Sequence, residues 1–258
     1  MTSALLFDPQ DTNLLLNTFR DAHGLYLKHL EKYPAEAFSQ PSKLPNWTNA
    51  HVIAHVDGFA RGVLNQLDAA ANHEFRDMVE GGPDERNRRI ELGALMQPEA
   101  LRERALESLN GVLEKLSAAD DAYLDQASRF QGTVRRLVLA CIREFAIHST
   151  DLANAAQTID WTQNMVRHFI DFADQRVPEA LKLNIQPVGG QSHTIGQGES
   201  TIVLQGMDFD IAAWLVGRQP AGQVRATAAA DGVSLPDLLP WPKPKILTPA
   251  EEEAALQK

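Results

Sequence analysis

Two residues able to hold a metal stand one helical turn apart in the segment REFAIHSTDL: Glu144 and His148. A spacing of four residues puts both side chains on the same helix face, the way helical metal sites present two ligands to one ion. Leu137, Cys141 and Leu152 share that face, so it points into a core. An ionised carboxylate in a core is costly unless it is paired or metal-bound. A second segment, HVIAHVDGF, places His55 between Val52 and Phe59 at helical spacing, again on an apolar face. Two imidazoles and one carboxylate from facing helices would make a three-ligand site with an open position, the pattern of catalytic zinc. Mixed nitrogen and oxygen ligation also admits iron, nickel or manganese. The same residues have a plainer reading, in which Glu144 and His148 form a helix ion pair and His55 is a core histidine bonded to a backbone carbonyl.

Neighbouring residues qualify the picture. His51 lies one turn before His55 and is either a fourth ligand or, the better expectation, an exposed or partly buried helix residue. Asp151 follows His148 by three residues, where its carboxylate would accept the second imidazole N–H or else join a surface pair. Cys141 lies one turn before Glu144. A thiolate beside a metal would be reactive, but a lone cysteine on an apolar face is more often a small buried hydrophobe.

Four amphipathic helices would position these groups. The first opens at Asp8-Pro9, as N-cap and first helical residue, and ends at Pro34. The second opens at Thr48 and fades near Asn72. Residues 74–96 read as a long loop with a short helix over about 87–95. The third helix starts at Pro98 and the fourth runs over about 133–156. One long connection among four such helices implies an antiparallel bundle. Beyond residue 158 the pattern changes: a helix over 162–182, strands at TIVLQ (201–205) and QVRATA (223–228), a short helix over 209–216 ending at Gly217, and a Pro-rich strap or tail, LPDLLPWPKPK. The expectation is an α+β chain divided into 1–158 and 159–258.

Composition sets outer limits. With Lys plus Arg at 24 and Asp plus Glu at 34, the net charge is −10 and no basic stripe offsets it, which argues against nucleic acid and anionic membranes as partners. One cysteine permits no internal disulfide, the N-terminus lacks the form of a signal peptide, and no apolar run reaches membrane-span length. A cytoplasmic protein is expected.

The segment LPNWTNAHVIAH resembles the signature of the DinB-like and mycothiol-dependent maleylpyruvate isomerase families. There, a Gly-Trp-Thr-like loop leads into a helix whose Leu-Ala-His triplet supplies a metal ligand. The corresponding residues are Trp47, Thr48 and Ile53-Ala54-His55, with Asn46 where the family has Gly. The second family signature, Arg-Glu-x-x-x-His-x-x-Asp-Leu, is matched by Arg143, Glu144, His148, Asp151 and Leu152. ERNRRIELG (85–93) and WLVGR, which ends at Arg218, are similar to further segments of the isomerase branch.

The resemblance implies an N-terminal DinB-like four-helix bundle with a smaller C-terminal α+β domain. It implies zinc on His55, Glu144 and His148, with Asp151 behind His148, and mycothiol as a thiol cofactor. Arg218 would be the catalytic cation for a substrate carboxylate, and Arg86 and Asn87 are candidate substrate contacts, although Arg218 would equally cap the helix before it. The implied reaction is cis–trans isomerisation of maleylpyruvate to fumarylpyruvate. A mycothiol S-transferase would use the same thiol-activating site, and a non-catalytic metal-binding module is the reading outside enzymes.

Overall fold

The structure, a computed structural model, describes residues 5–228 and 233–257. The chain divides into two compact units, one comprising Pro9–Ala156 with Pro244–Lys258 and the other Met1–Asp8 with Gln157–Lys243. The protein is helix-rich α+β, with all of its long helices in the first unit.

The helical unit contains α1 (Thr12–Glu31), α2 (Asn49–Ala71), α3 (Gly82–Ala94), α4 (Pro98–Leu116), the one-turn α5 (Asp121–Leu124) and α6 (Val134–Asp151). Helices α1, α2, α4 and α6 close a ring, with α1 and α2 each packed against both α4 and α6. Their inward stripes are buried: Leu15, Phe19, Tyr26 and Leu30 on α1; Val52, Val56, Val63 and Leu67 on α2; Leu101, Leu109 and Val112 on α4; Leu137, Cys141 and Phe145 on α6. Burial of each larger side chain contributes ~1.5–3 kcal/mol, so the 3.6-residue period of the sequence and the bundle are two expressions of one constraint.

Helix ends differ from expectation where local chemistry overrides periodicity. Helix α1 begins at Thr12 rather than at Asp8-Pro9, because Asp11 is the cap and accepts the Leu14 N–H at 2.9 Å. Helix α3 begins at Gly82, earlier than the short helix expected over 87–95. Gly81 and Gly82 turn the chain at φ 89° and 72°, and Pro83 occupies the first turn. Helix α6 stops at Asp151, short of 156, because Leu152 adopts extended backbone. A two-residue hairpin, β1 (Ala127–Ser128) with β2 (Gly132–Thr133), leads into α6.

The second unit opens with α7 (Gln163–Ala173). The helix expected over 162–182 ends there: a 3-10 turn over Asp174–Arg176 and Pro178 intervene, and Leu181 starts a strand instead. A mixed sheet has the order β4 (His193–Ile195), β3 (Leu181–Pro187), β5 (Ser200–Gly206), β6 (Arg225–Thr227). Strand β3 pairs parallel with β5 and antiparallel with β4, and β5 pairs antiparallel with β6. Leu183, Ile185, Ile195 and Leu204 form its buried face. Both α7 and α8 (Asp208–Leu215) pack against this sheet and each other. Gly217 closes α8 at φ 72°.

The Pro-rich segment then delivers the last residues to the helical unit. The Gln131 N–H donates to the Lys245 carbonyl at 2.7 Å and the Leu247 N–H to the Arg129 carbonyl at 2.9 Å. Leu247 is buried, and α9 (Pro249–Leu256) follows behind a capping box of Thr248 and Glu251. Among the described residues no helix is long and apolar enough to cross a membrane.

Candidate metal centre

The loop before α2 is stitched to the end of α6. The Lys43 N–H donates to the Asp151 carbonyl at 2.9 Å. Buried Asn49 accepts from the Ala153 N–H at 2.9 Å and donates to the carbonyls of Ala37 and Gln40 at 2.9 and 3.1 Å. Asn46 stands at φ 64°. Asparagine is among the few side chains that tolerate this left-handed region. Thr48 then starts α2, its backbone N–H donating to His51 Nδ1 at 3.2 Å. His51 thereby serves as the partner of its own helix cap, with Nε2 3.4 Å from Glu91, and is no part of the cluster below.

These restraints bring α2 and α6 together at three side chains. His55 Nε2 lies 3.0 Å from Glu144 Oε2 and 3.1 Å from His148 Nε2, and His148 Nε2 lies 3.3 Å from the same Glu144 oxygen. The two imidazoles meet nearly at right angles, 84°, with centroids 4.6 Å apart. Among the described residues these three form a cluster of possible metal ligands. A metal bonded to three such atoms at about 2.05 Å in tetrahedral directions would hold them about 3.3 Å apart. The observed edges come within about 0.3 Å of that, so the triangle has the size one metal ion would need, and it converges two imidazole nitrogens on one point. The histidine side chains are 9% and 13% exposed while Glu144 is 31% exposed, so the carboxylate marks the side open to solvent.

The electrostatics are those of a tightly coupled group. Burial pushes His55 below the ordinary imidazole range against the pull of Glu144, and the charges of His148 and Arg86 push the same way. Burial alone would raise the Glu144 carboxyl, but hydrogen bonds from both imidazoles hold it well below the usual carboxylate range. His148 is raised: burial opposes its charge, yet hydrogen bonds to Asp151 and Glu144 outweigh burial. Asp151 is 1% exposed at its side chain and accepts from His148 Nδ1 at 2.8 Å, the carboxylate–histidine arrangement that fixes which ring nitrogen faces a metal. Cys141 is fully buried, and burial pushes its thiol far above the ordinary range; it packs as a hydrophobe.

The remaining candidates fall in different places. Arg86, exposed on α3, reaches His55 Nδ1 with Nη2 at 3.1 Å and its exposed neighbour Asn87 Oδ1 with Nη1 at 3.1 Å. Arg218 belongs to the other unit, where its Nη1 donates to the Val216 carbonyl at 3.2 Å and its N–H to the Ala213 carbonyl at 2.8 Å, the cap of α8. Two features escaped the sequence reading. The Arg86–His55 contact has no signature in spacing, because it crosses from α3 to α2. Trp47, which enters the sequence only as part of the loop signature before α2, has its ring 5.7 Å from that of His55 and 6.2 Å from that of His51, against the cluster itself.

No curated protein matches the chain. Two solved structures are similar in fold: a crystal structure of a mycothiol-dependent maleylpyruvate isomerase and one of its histidine-to-alanine mutant. Each has a TM-score of 0.73 and 22% identity over 88% of this chain and 95% of that one. The family described as the mycothiol maleylpyruvate isomerase N-terminal domain matches residues 19–153, a span that contains all three clustered side chains and Asp151. Since that span is more than half of the chain, the protein belongs to the family of mycothiol maleylpyruvate isomerase N-terminal domains.

Proposed function

We propose that this protein is a zinc-dependent, mycothiol-dependent isomerase that converts maleylpyruvate to fumarylpyruvate in the cytoplasm. The observation that carries the reading is the triangle of His55 Nε2, Glu144 Oε2 and His148 Nε2, with edges of 3.0, 3.1 and 3.3 Å, inside the segment matched by the family. When bound, zinc would supply Lewis acidity that keeps a thiol ionised at neutral pH, and the thiol would supply reversible addition to the cis double bond.

The chain's own residues have the following parts. His55, Glu144 and His148 hold the ion and leave a coordination position for a ligand. Asp151 holds the His148 proton on Nδ1, so that Nε2 presents its lone pair. Trp47 and the stitched loop fix the His55 ring from the side. Arg218 enters on the resemblance alone, as the cation for a substrate carboxylate. Cys141 takes no part, since its thiol is buried and protonated.

The test is turnover of maleylpyruvate by zinc-loaded protein with and without mycothiol, followed by ultraviolet absorbance. The expected result is fumarylpyruvate formed only when the thiol is present. Absence of turnover with zinc bound would overturn the isomerase assignment and direct the search to electrophiles that keep the thiol.

A further inference from the structure

Arg86 makes a contact that metal ligation forbids. Its Nη2 is 3.1 Å from His55 Nδ1. A guanidinium only donates, so Nδ1 must be the acceptor and carry no proton. The single proton of the neutral ring is then on Nε2, which lies 3.0 Å from Glu144 Oε2 and donates to it. Ligation through Nε2 requires the opposite tautomer, with the lone pair on Nε2 and the proton on Nδ1. In that tautomer two N–H donors would face each other across the 3.1 Å gap.

We propose that Arg86 guards the metal site: its hydrogen bond selects the non-ligating tautomer of His55, and the site loads only as that bond is released. The inference rests on the zinc reading of the cluster. The chain is built for such a release. Arg86 is exposed and its other side-chain hydrogen bond is to adjacent Asn87, so the guanidinium can swing away without breaking a buried contact. The nearby carboxylate of Glu85 is engaged by Arg88 and Arg89, at 2.7 Å from each Nε, and does not hold Arg86. Helix α3 nevertheless fixes where the arm starts, because Gly93 lies so close to Ala54 that a Cβ would stand 2.7 Å from the alanine methyl, next to His55 in sequence. Arg86 is thus a positioning residue that sets the metal affinity below what three good donors would give, both by tautomer and by placing a cation beside the ion.

The experiment titrates zinc into metal-free, full-length protein against a chromophoric chelator, for the wild type, Arg86→Gln and Arg86→Ala. The glutamine amide oxygen can accept from Nδ1–H and so favours the ligating tautomer. Both variants are expected to bind zinc about tenfold more tightly than the wild type, glutamine the more so, as follows from losing one charge-assisted hydrogen bond. Nitrogen-15 NMR of the metal-free wild type is expected to show His55 protonated at Nε2 and bare at Nδ1, with a shift toward Nδ1–H in Arg86→Ala. Unchanged or weaker zinc binding in both folded variants would overturn the inference while leaving the zinc reading intact. So would a wild-type His55 protonated at Nδ1, a result independent of whether the variants fold. A wild type that binds no zinc would remove the zinc reading and this inference with it.

Discussion

His55 contributes little to the bundle and much to the cluster, which makes it the residue at which chemistry and folding separate. Its neighbours Val52 and Val56 carry the packing of α2, while its ring sits at the rim with 9% of the side chain exposed. His55→Ala should therefore retain a cooperative circular dichroism melt, with a cost of ~1–3 kcal/mol, and lose the zinc proposed for the cluster. Elemental analysis of the purified variant decides the point, since full occupancy would remove His55 from the ligand set. Asp151 tests the level behind the ligands. Asp151→Asn keeps the shape and an oxygen that can accept from His148 Nδ1, but removes the charge that favours that proton. Zinc affinity is expected to fall about 10- to 100-fold, the usual consequence of losing such a partner, and an affinity equal to wild type would reduce Asp151 to a packing role. Glu144 and His148 were legible from spacing as a pair on one helix face, with an ion pair and metal ligation both open. His55 was legible as an inward residue, and the family signatures joined it to the other two. The Arg86 contact was not legible, since nothing in a linear spacing reports which residue of α3 crosses to α2.

At the level of elements, the sequence spoke clearly wherever one face of a helix had to be apolar. The stripes of α1, α2, α4 and α6 predict those helices, and their ends depart from expectation where local backbone decides, as at the Asp11 cap of α1 and at extended Leu152 after α6; the start of α3 is set likewise by the left-handed pair Gly81-Gly82. Strands β3 and β4 were missed for a physical reason. Leu181 continues the apolar spacing of α7 and so drew the start of β3 into the expected helix, although Leu181, Leu183 and Ile185 alternate with Lys182, Asn184 and Gln186 in period two, and β4 is only three residues long. Packing between α2 and α3 gives an opposed pair of predictions from two glycines. A Cβ at Gly58 in α2 meets nothing within 4 Å, so Gly58→Ala should raise stability by up to ~1 kcal/mol through helix propensity. A Cβ at Gly93 would stand 2.7 Å from Ala54 Cβ, and overpacking of this kind costs ~1–3 kcal/mol. Near a helix end the propensity gain is small, so Gly93→Ala should lower the melting temperature while Gly58→Ala raises it, by ~2–4 °C per kcal/mol in a chain of this size. Two shifts of the same sign would contradict the close approach of α3 to α2.

On the scale of the whole molecule, the chain leaves the helical unit at Ala156 and comes back to it at Pro244. The sequence gives no periodic signal for that return, because an extended Pro-rich segment finds its partners through backbone hydrogen bonds to the β1–β2 hairpin region, which any side-chain pattern permits. The returning residues nonetheless complete the unit. They supply the acceptor for the Gln131 N–H and the donor for the Arg129 carbonyl, bury Leu247, and bring Glu252 within 3.2 Å of Arg129. Two backbone hydrogen bonds at ~1 kcal/mol each and one buried leucine at ~1.5–3 kcal/mol favour the docked segment. Deleting residues 244–258 should then lower the unfolding free energy of the protein by ~2–4 kcal/mol, a large share of the 5–15 kcal/mol typical of a domain. The loss should be seen in amide exchange at Arg129–Thr133 and in the melt of the helical unit. The α7–α8 sheet unit, which ends at Lys243 and takes none of these bonds, should keep its exchange protection. Equal loss of protection in both units would mean that the C-terminal segment stabilises the molecule by some route other than the contacts it makes with the hairpin.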